Sequence, residues 1–498
     1  MKILCLQLAR FGDIYQTWPC LNALKRTQSK DEIHILVRER FVAATQGLDS
    51  VSKVITLPNV EILEPLMRDM PNAASAVQKL TLFIELLKKE KYDRIINLSF
   101  SPSSSFIVDL IADANTQISG YTRHADGFLN IPDDPSAYFY AQVGTDRTNR
   151  IHLTDLFALI AGVELSTVDF RAPNTRSLLL TQHALSEKSY FVVHVGASTK
   201  DKMCKSESWA EIIEALNNKY SGTLVFVGTK AESEYIPIVH TDLSFKLLDL
   251  TGSTTLLEIF ELLSKAQILV GGDSSILHMA SLTQTPTLNI SFSSVRFWET
   301  GPRAVQSRIV SSLTPAVLDA KKVANEIIHL IRFEEPEAPI VLKKENIGVL
   351  YEVQSDETRT SDPEEFSWQL IEALYMDKTF PFSHSKSIRH GFRRLLELSH
   401  LGLEQIEAIS KSKNSDIAFG ILNEIDLLLN QISNLVPDLG PIVRWFQTEK
   451  LRIPPGSLDI VIQATKDKYD KLRTICELYE LNQTFSENLS REELSWKL

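Results

Sequence analysis

Several short stretches of this chain carry residues whose types and spacing suit chemistry. The richest is Gly272-Asp273-Ser274-Ser275-Ile276-Leu277-His278. It follows an apolar run, Gln267 to Val270, with the pattern of a buried strand, and leads into helical spacing from Ile276 to Leu282. A chain that leaves a strand at Gly-Gly-Asp-Ser-Ser and restarts as a helix has several unpaired backbone N–H groups pointing outward. Those donors and the helix dipole favour an anion, so the position suits a phosphate or diphosphate. Asp273 and His278 stand at its mouth. The histidine either lines that site or packs on the helix it belongs to.

Three other turns have a comparable layout. Near the start, Gln7-Leu8-Ala9-Arg10-Phe11-Gly12-Asp13 joins an apolar strand to a helix. Asp13 either caps that helix or projects as a general base; with an ordinary value of about 3.9 it is ionised at neutral pH and can accept a hydroxyl proton. The stretch His194-Val195-Gly196-Ala197-Ser198-Thr199 precedes Lys202. Its N–H and hydroxyl donors, with one lysine charge, are what a departing diphosphate needs, although loop lysines are more often simply solvated. In Gly228-Thr229 followed by Glu232, the carboxylate either bonds ribose hydroxyls or serves the dipole of its own helix.

The elements that hold these turns alternate. Short apolar runs at Ile3–Leu6, Ile33–Val37, Val54–Leu57 and Arg94–Leu98 are interleaved with helical spacing at 14–24, 74–89 and 105–111. This is the pattern of parallel βαβ units covered on both faces. A helix over 149–161 lies between two halves, and the polar stretch Pro173-Asn174-Thr175-Arg176 marks a boundary. The alternation then resumes: strands at 191–195, 224–227, 268–270 and 288–290, helices at 208–216 and 255–264. The expected class is α/β, with two Rossmann-like doubly wound domains, residues 1–173 and 174–334, whose ligands sit at the carboxyl ends of the strands. Glu334 to Pro339 reads as a linker, and 335–498 as a mainly helical extension, with one possible strand at 347–351 and helices at 364–375, 387–397, 416–435 and 458–481.

Composition narrows the function classes. The 498 residues are 44% hydrophobic and 23% charged, ordinary for a globular chain, and the net charge of −11 argues against nucleic acid as a partner. Cys5, Cys20, Cys204 and Cys476 are scattered, without zinc-ligand spacing, so neither a disulfide framework nor a structural metal is expected. The N-terminal apolar run reads as a first buried strand and not a secretion signal, and no run approaches the roughly 18 residues of a membrane helix. These features suit a cytoplasmic protein.

Taken in order, the turns resemble glycosyltransferase family nine, the ADP-heptose:lipopolysaccharide heptosyltransferases. The likeness is carried by Ile3-Leu4 through Gly12-Asp13 to Pro19 and Leu24, by His194-Val195-Gly196-Ala197 with Lys202 and Trp209, by Leu250-Thr251-Gly252, and by Asp273 to Ala280 with Thr285-Pro286 and Thr300-Gly301-Pro302. It spans roughly the first two-thirds of the chain. The resemblance implies a GT-B-type cleft, with residues 1–173 binding the acceptor and 174–334 the donor. It also implies inversion at the anomeric carbon, no metal and no cofactor beyond the nucleotide-sugar co-substrate, ADP-heptose. Asp13 matches the family's base and Lys202 the lysine on the donor phosphates. Ser198, Thr199, Glu232, Asp273, Ser274, Ser275, Ile276 and His278 match donor-contacting positions. Arg10, Arg38, Arg40 and Arg123 are the basic residues available to a phosphorylated glycan or glycolipid acceptor. Any membrane contact is then peripheral, at the inner face of the inner membrane.

The chain departs from the family at three places. Ser275 and Ser293 stand where glycine is usual, and a side chain there narrows the approach of phosphate to backbone; Cys204 replaces a tryptophan. Two alternatives to lipopolysaccharide transfer stay open at this point: the same chemistry on a protein acceptor or with another nucleotide sugar, and a non-catalytic scaffold that binds through its helical extension.

Overall fold

The computed structural model describes residues 1–334, 340–345, 348–353, 364–412 and 416–495. Of the expected linker only Glu334 falls among them; residues 335–339, and Ile347 of the possible strand, lie outside. The chain divides into two compact units. One comprises 1–99, 110–119 and 150–358, the other 100–109, 120–149 and 359–498.

The first unit holds two sheets. β1 (Lys2–Leu6), β2 (Glu32–Arg38), β3 (Lys53–Leu57), β4 (Arg94–Asn97) and β5 (Gln117–Gly120) lie in the order β3-β2-β1-β4-β5. The registers of β1 with β2 and β4, and of β2 with β3, are parallel. β1 and β4 are buried along almost their whole length, as their near-continuous apolar sequences require. A short hairpin, β6 (Thr122–Arg123) with β7 (Leu129–Asn130), comes next in the chain and belongs to the second unit.

The second sheet is built from β8 (Tyr190–His194), β9 (Thr223–Val227), β10 (Lys246–Asp249), β11 (Leu269–Gly271), β12 (Thr287–Phe292), β13 (Arg308–Ser312), β14 (Ile340–Glu345) and β15 (Gly348–Val353). Its order is β10-β9-β8-β11-β12-β13-β14-β15. The first six strands repeat the doubly wound pattern, with the chain reversing direction across the sheet between β8 and β11, the place where such sheets take ligands. β14 and β15 add an antiparallel hairpin at the edge, of which only the second strand was expected. The two Rossmann-like sheets and the helical C-terminal region are the architecture that the sequence implied.

Helix boundaries differ where capping decides them. The first helix runs Phe11–Thr27, three residues earlier than its apolar spacing suggests, because Arg10 N–H donates to Asp13 Oδ2 at 2.9 Å and completes its first turn. The helix expected over 149–161 is Leu153–Ala161, capped by the His152 ring, which accepts from Thr154 N–H at 3.1 Å. Helices Asp134–Gln142 and Gly440–Leu451 were not foreseen. Each has proline in its first turn, which reads as a breaker along the sequence but is tolerated where the helix needs no N–H.

In the second unit, helices Glu365–Tyr375, Lys386–Ser412, Asp416–Leu435, Gly440–Leu451 and Leu458–Ser495 share one apolar core that includes Phe392, Leu395, Phe446, Tyr469 and Tyr479. The Phe392 and Tyr479 rings stack at 3.6 Å, and Phe446 meets Tyr469 edge-on at 4.9 Å. Gly402 lets the Lys386–Ser412 helix lie directly on the Tyr469 ring: a Cβ there would come within 2.1 Å of Tyr469 Cε1. Tyr469 is fully buried and cannot swing aside. Gly402→Ala is therefore expected to destabilise the protein by about 1–3 kcal/mol through overpacking, although alanine is the better helix former by about 1 kcal/mol. Denaturant unfolding measures this, and an unchanged or raised midpoint would contradict the packing described.

Candidate active site

The site grows from the ends of β1, β8 and β11, all within the first unit. β1 runs out at Leu6, and the chain turns through Arg10 into the helix that carries Asp13. β11 runs out at Gly271, which pairs with His194 at the end of β8. The helix Ser275–Thr283 follows at once, with Ser274 at its cap position in extended conformation and no side chain occupying the cap. Its first-turn N–H groups are thus offered to a ligand, as the sequence pattern required.

The two halves of the unit meet here. A Cβ on Gly12 would lie 3.0 Å from His278 Cδ2 and 3.2 Å from Nε2, so the Asp13 turn rests against the His278 ring. Further back, Tyr15 and Trp18 of the first helix pack on Phe260 of the helix Leu256–Lys265, at 5.7 and 5.6 Å between ring centroids. Arg303 grips Asp155 with both terminal nitrogens, and the His152 Nε2 donates to the Gly301 carbonyl at 3.0 Å. These contacts join the helix Leu153–Ala161 to the segment after Thr300. Asp155 and Arg303 are both buried, so breaking the pair leaves a charge without its counterion.

Lys202 and Asp273 form the electrostatic centre. Lys202 Nζ donates to Asp273 Oδ2 at 2.8 Å, and Thr300 Oγ1 donates to Asp273 Oδ1 at 2.9 Å. Asp13 is raised above the ordinary carboxyl value by desolvation, with the Asp273 charge adding to the rise and the Arg10 N–H and guanidinium opposing it. His278 is pushed down to about 4, again by burial, against a smaller opposing pull from Asp273. It is a neutral ring at physiological pH.

A second cluster lies beside it. Ser274 Oγ is 3.1 Å from His194 Nδ1, and the other ring nitrogen faces Glu232 Oε2 at 3.6 Å. The ring thus bridges Ser274 and Glu232. Burial alone would raise Glu232, but His194 and the Thr229 N–H, which donates at 2.6 Å, together hold it at about 2. The carboxylate lies across Gly196, where a Cβ would fall 1.8 Å from Oε1. The glycine of the Val195-Gly196-Ala197 turn is thus the seat of Glu232.

Of the residues singled out from the sequence, Asp13, Lys202, Asp273, Ser274 and His278 come together through these contacts, with Glu232 reached through His194. Ile276 is buried in the helix behind the turn, while Ser198 and Thr199 are exposed. Neither Ser275 nor Ser293 has positive φ, so neither position demands glycine for its backbone. Arg10 and Arg40 are exposed and Arg38 half-buried; the Arg40 guanidinium lies 4.7 Å over the Phe41 ring. Arg123 belongs to the other compact unit, where it stacks on Phe106 at 4.0 Å and donates to the Gly127 carbonyl. Sequence reasoning gave no role to His194, Thr300, His152, Asp155 or Arg303. His194 and Thr300 were visible as motif members, whereas the Asp155–Arg303 pair spans 148 positions and leaves no local signal. All four cysteines are buried and free, and no helix among the described residues is long and apolar enough to cross a membrane.

Comparison with known proteins bears on this geometry. Residues 81–326 match the model for glycosyltransferase family 9 (heptosyltransferase). Lipopolysaccharide heptosyltransferase 1 of Campylobacter coli is 21% identical over 302 residues, which cover 58% of this chain and 83% of that protein. The crystal structure of a family 9 glycosyl transferase from Veillonella parvula DSM 2008 aligns with a TM-score of 0.51 at 14% identity, over 67% of this chain and 97% of that one. The E. coli ADP-heptose lps heptosyltransferase II aligns with a TM-score of 0.48 at 15% identity, over 67% and 99%.

Two measurements check the site's physics. The unfolded chain takes up a proton on residue 278 as pH falls below the ordinary histidine value of 6.5, whereas the folded chain resists until about 4. The unfolded state then binds more protons, so stability is lost as pH falls through that window. His278→Gln is expected to flatten the loss in pH-dependent unfolding; an unchanged slope would contradict a buried neutral ring. Asp155→Asn is expected to cost about 3–5 kcal/mol, with Asp155→Leu/Arg303→Met recovering most of it; equal stability of Asp155→Asn and the parent would mean that the pair is not buried in solution.

Proposed function

We propose, for a chain that belongs to glycosyltransferase family 9, that it transfers heptose from ADP-heptose to a lipopolysaccharide-core or related glycan, with inversion and without a metal. The observation that carries this reading is the contact of the Asp13 turn with His278, on the turn whose Asp273 is paired with Lys202. It sets a carboxylate base against an anion-binding helix end, as a displacement at an anomeric carbon requires.

In this mechanism the acceptor hydroxyl attacks the anomeric carbon from the face opposite the diphosphate. The new C–O bond forms as the bond to the leaving oxygen breaks, through an oxocarbenium-like state. Asp13 takes the hydroxyl proton. Its raised value makes it a better base than an ordinary aspartate. Negative charge accumulates on the departing diphosphate. Lys202, released from Asp273, and the N–H groups at the start of the Ser275–Thr283 helix compensate it. His278, neutral and against Gly12, adds no competing charge and helps to exclude water, which would otherwise hydrolyse the donor.

Residues 174–334 act as the donor domain in this reading, with Ser198, Thr199, Ser274 and Ser275 at the phosphates and Glu232 near the ribose. Residues 1–173 hold the acceptor, and Arg10, Arg38 and Arg40 offer charge to its acidic groups. Transfer takes place in the cytoplasm, with at most peripheral contact at the inner membrane. Asp13→Asn is expected to lower kcat by about 10²–10⁴-fold with little change in KM for the donor, in an assay that follows sugar transfer from ADP-heptose. The parent rate should fall with acid along a limb displaced above the ordinary aspartate value of 3.8. Parent-like turnover by Asp13→Asn would remove Asp13 as the base, and a product retaining the donor's anomeric configuration would exclude the single displacement.

A further inference from the structure

A large cavity is lined wholly by residues of the second unit, and none of the residues given a role at the Asp13 site lines it. It has a volume of about 1140 Å³, beyond the roughly 300–1,000 Å³ of common small-molecule sites. It is an open trough and not a closed pocket. Its walls come from the segment 124–147 and from the helices Asp416–Leu435, Gly440–Leu451 and Leu458–Ser495.

The wall chemistry is that of a surface made for polyols. Asn430, Ser433, Asn434 and Gln447 line it with amides and a hydroxyl, and Asp126 with a carboxylate. Such planar groups donate and accept in pairs, as adjacent sugar hydroxyls require. Gln447 Nε2 already donates to Asn430 Oδ1 at 2.9 Å, which fixes one such pair in place. Phe128 and Tyr140, 71% and 42% exposed, offer aromatic faces at the rim to the apolar side of a sugar ring.

At one end stand two arginines. Arg444, which lines the trough, anchors its Nε on the Ala141 carbonyl at 3.0 Å and lays its guanidinium over Gly440. Arg147 is close enough that its charge, after burial, helps lower Arg444 to about 10. Asp146, whose Oδ1 is 3.4 Å from Arg147 Nε, is itself largely exposed. Two arginines lining one end of the trough offer charge and paired donors to an anion. Lys450, by contrast, is spent on Asp426.

We propose that this trough binds an oligosaccharide carrying a carboxylate or phosphate substituent, with the acidic group on Arg147 and Arg444 and the neutral sugars along Asn434, Gln447 and Tyr140. The choice of a glycan among polyol ligands rests on the transferase reading; the site itself is separate from the one where Asp13 acts. The second unit is then a glycan-recognition module.

The test uses the full-length protein, fluorescently labelled, on a printed array of neutral, uronic-acid-bearing and phosphorylated oligosaccharides, with hits confirmed by titration in solution. Binding to acidic glycans is expected, unaffected by Asp13→Asn or by saturating ADP, and weakened at least tenfold by Arg147→Ala and by Asn434→Ala. Uronic-acid and phosphorylated ligands tell the two anions apart. Thermal melting of each variant ensures that lost binding is not lost folding, and Arg147→Lys, which keeps the charge without the fork, should restore binding only in part. Binding to no array glycan, binding to neutral glycans alone, displacement by ADP, or parent-like affinity in Arg147→Ala would each overturn the proposal. Loss of transfer in Asp13→Asn with array binding intact would separate the fate of this site from that of the catalytic reading.

Discussion

Charge balance around Asp273 is the constraint on which the active site depends. In the proposed reaction a diphosphate leaving group would bring negative charge into a region that already holds Asp13, Asp273 and Glu232. The structure keeps these carboxylates quiet in three different ways. Asp273 is shared between Lys202 and Thr300, Glu232 is folded into its own turn with His194 beside it, and Asp13 is desolvated. In the proposed mechanism Lys202 turns from Asp273 to a phosphate, so ligand entry would rearrange this ion pair. The Thr300 hydroxyl keeps a partner on Asp273 throughout, which lowers the cost of that exchange.

Such a balance works only if the two Rossmann-like halves keep their spacing. Gly12 rests against His278, and the aromatic packing of Tyr15 and Trp18 on Phe260 supports that contact. The buried Asp155–Arg303 pair and the His152–Gly301 bond tie the segment after Thr300 to the helix Leu153–Ala161. Buried ion pairs seldom add much net stability, but they penalise every arrangement that separates the partners. Here that penalty falls on displacement of Thr300, and through it of Asp273.

Much of this was legible in the sequence because it is local. Each strand-to-helix turn carries its own signature: an apolar run, a glycine or polar break, then helical spacing. The turns at Asp13, Gly196 and Asp273 were therefore found before their meeting was. Boundaries shifted where a cap overrode periodicity, as at Arg10–Asp13, and helices were missed where an N-terminal proline read as a breaker, as at Gly440-Pro441. The His194–Glu232 contact and the Asp155–Arg303 pair join residues far apart in sequence and have no local pattern. The same holds for the trough of the second unit, whose walls are brought together by helices packing at Phe446, Tyr469 and Tyr479.

The most direct test of the account is calorimetric titration of the purified protein with ADP-heptose, ADP and other nucleotide sugars, repeated with Lys202→Met and Asp13→Asn. The account predicts saturable binding that favours ADP-heptose, a large loss in Lys202→Met and near-parent affinity in Asp13→Asn. Absence of binding by every nucleotide sugar, or undiminished affinity in Lys202→Met, would contradict it.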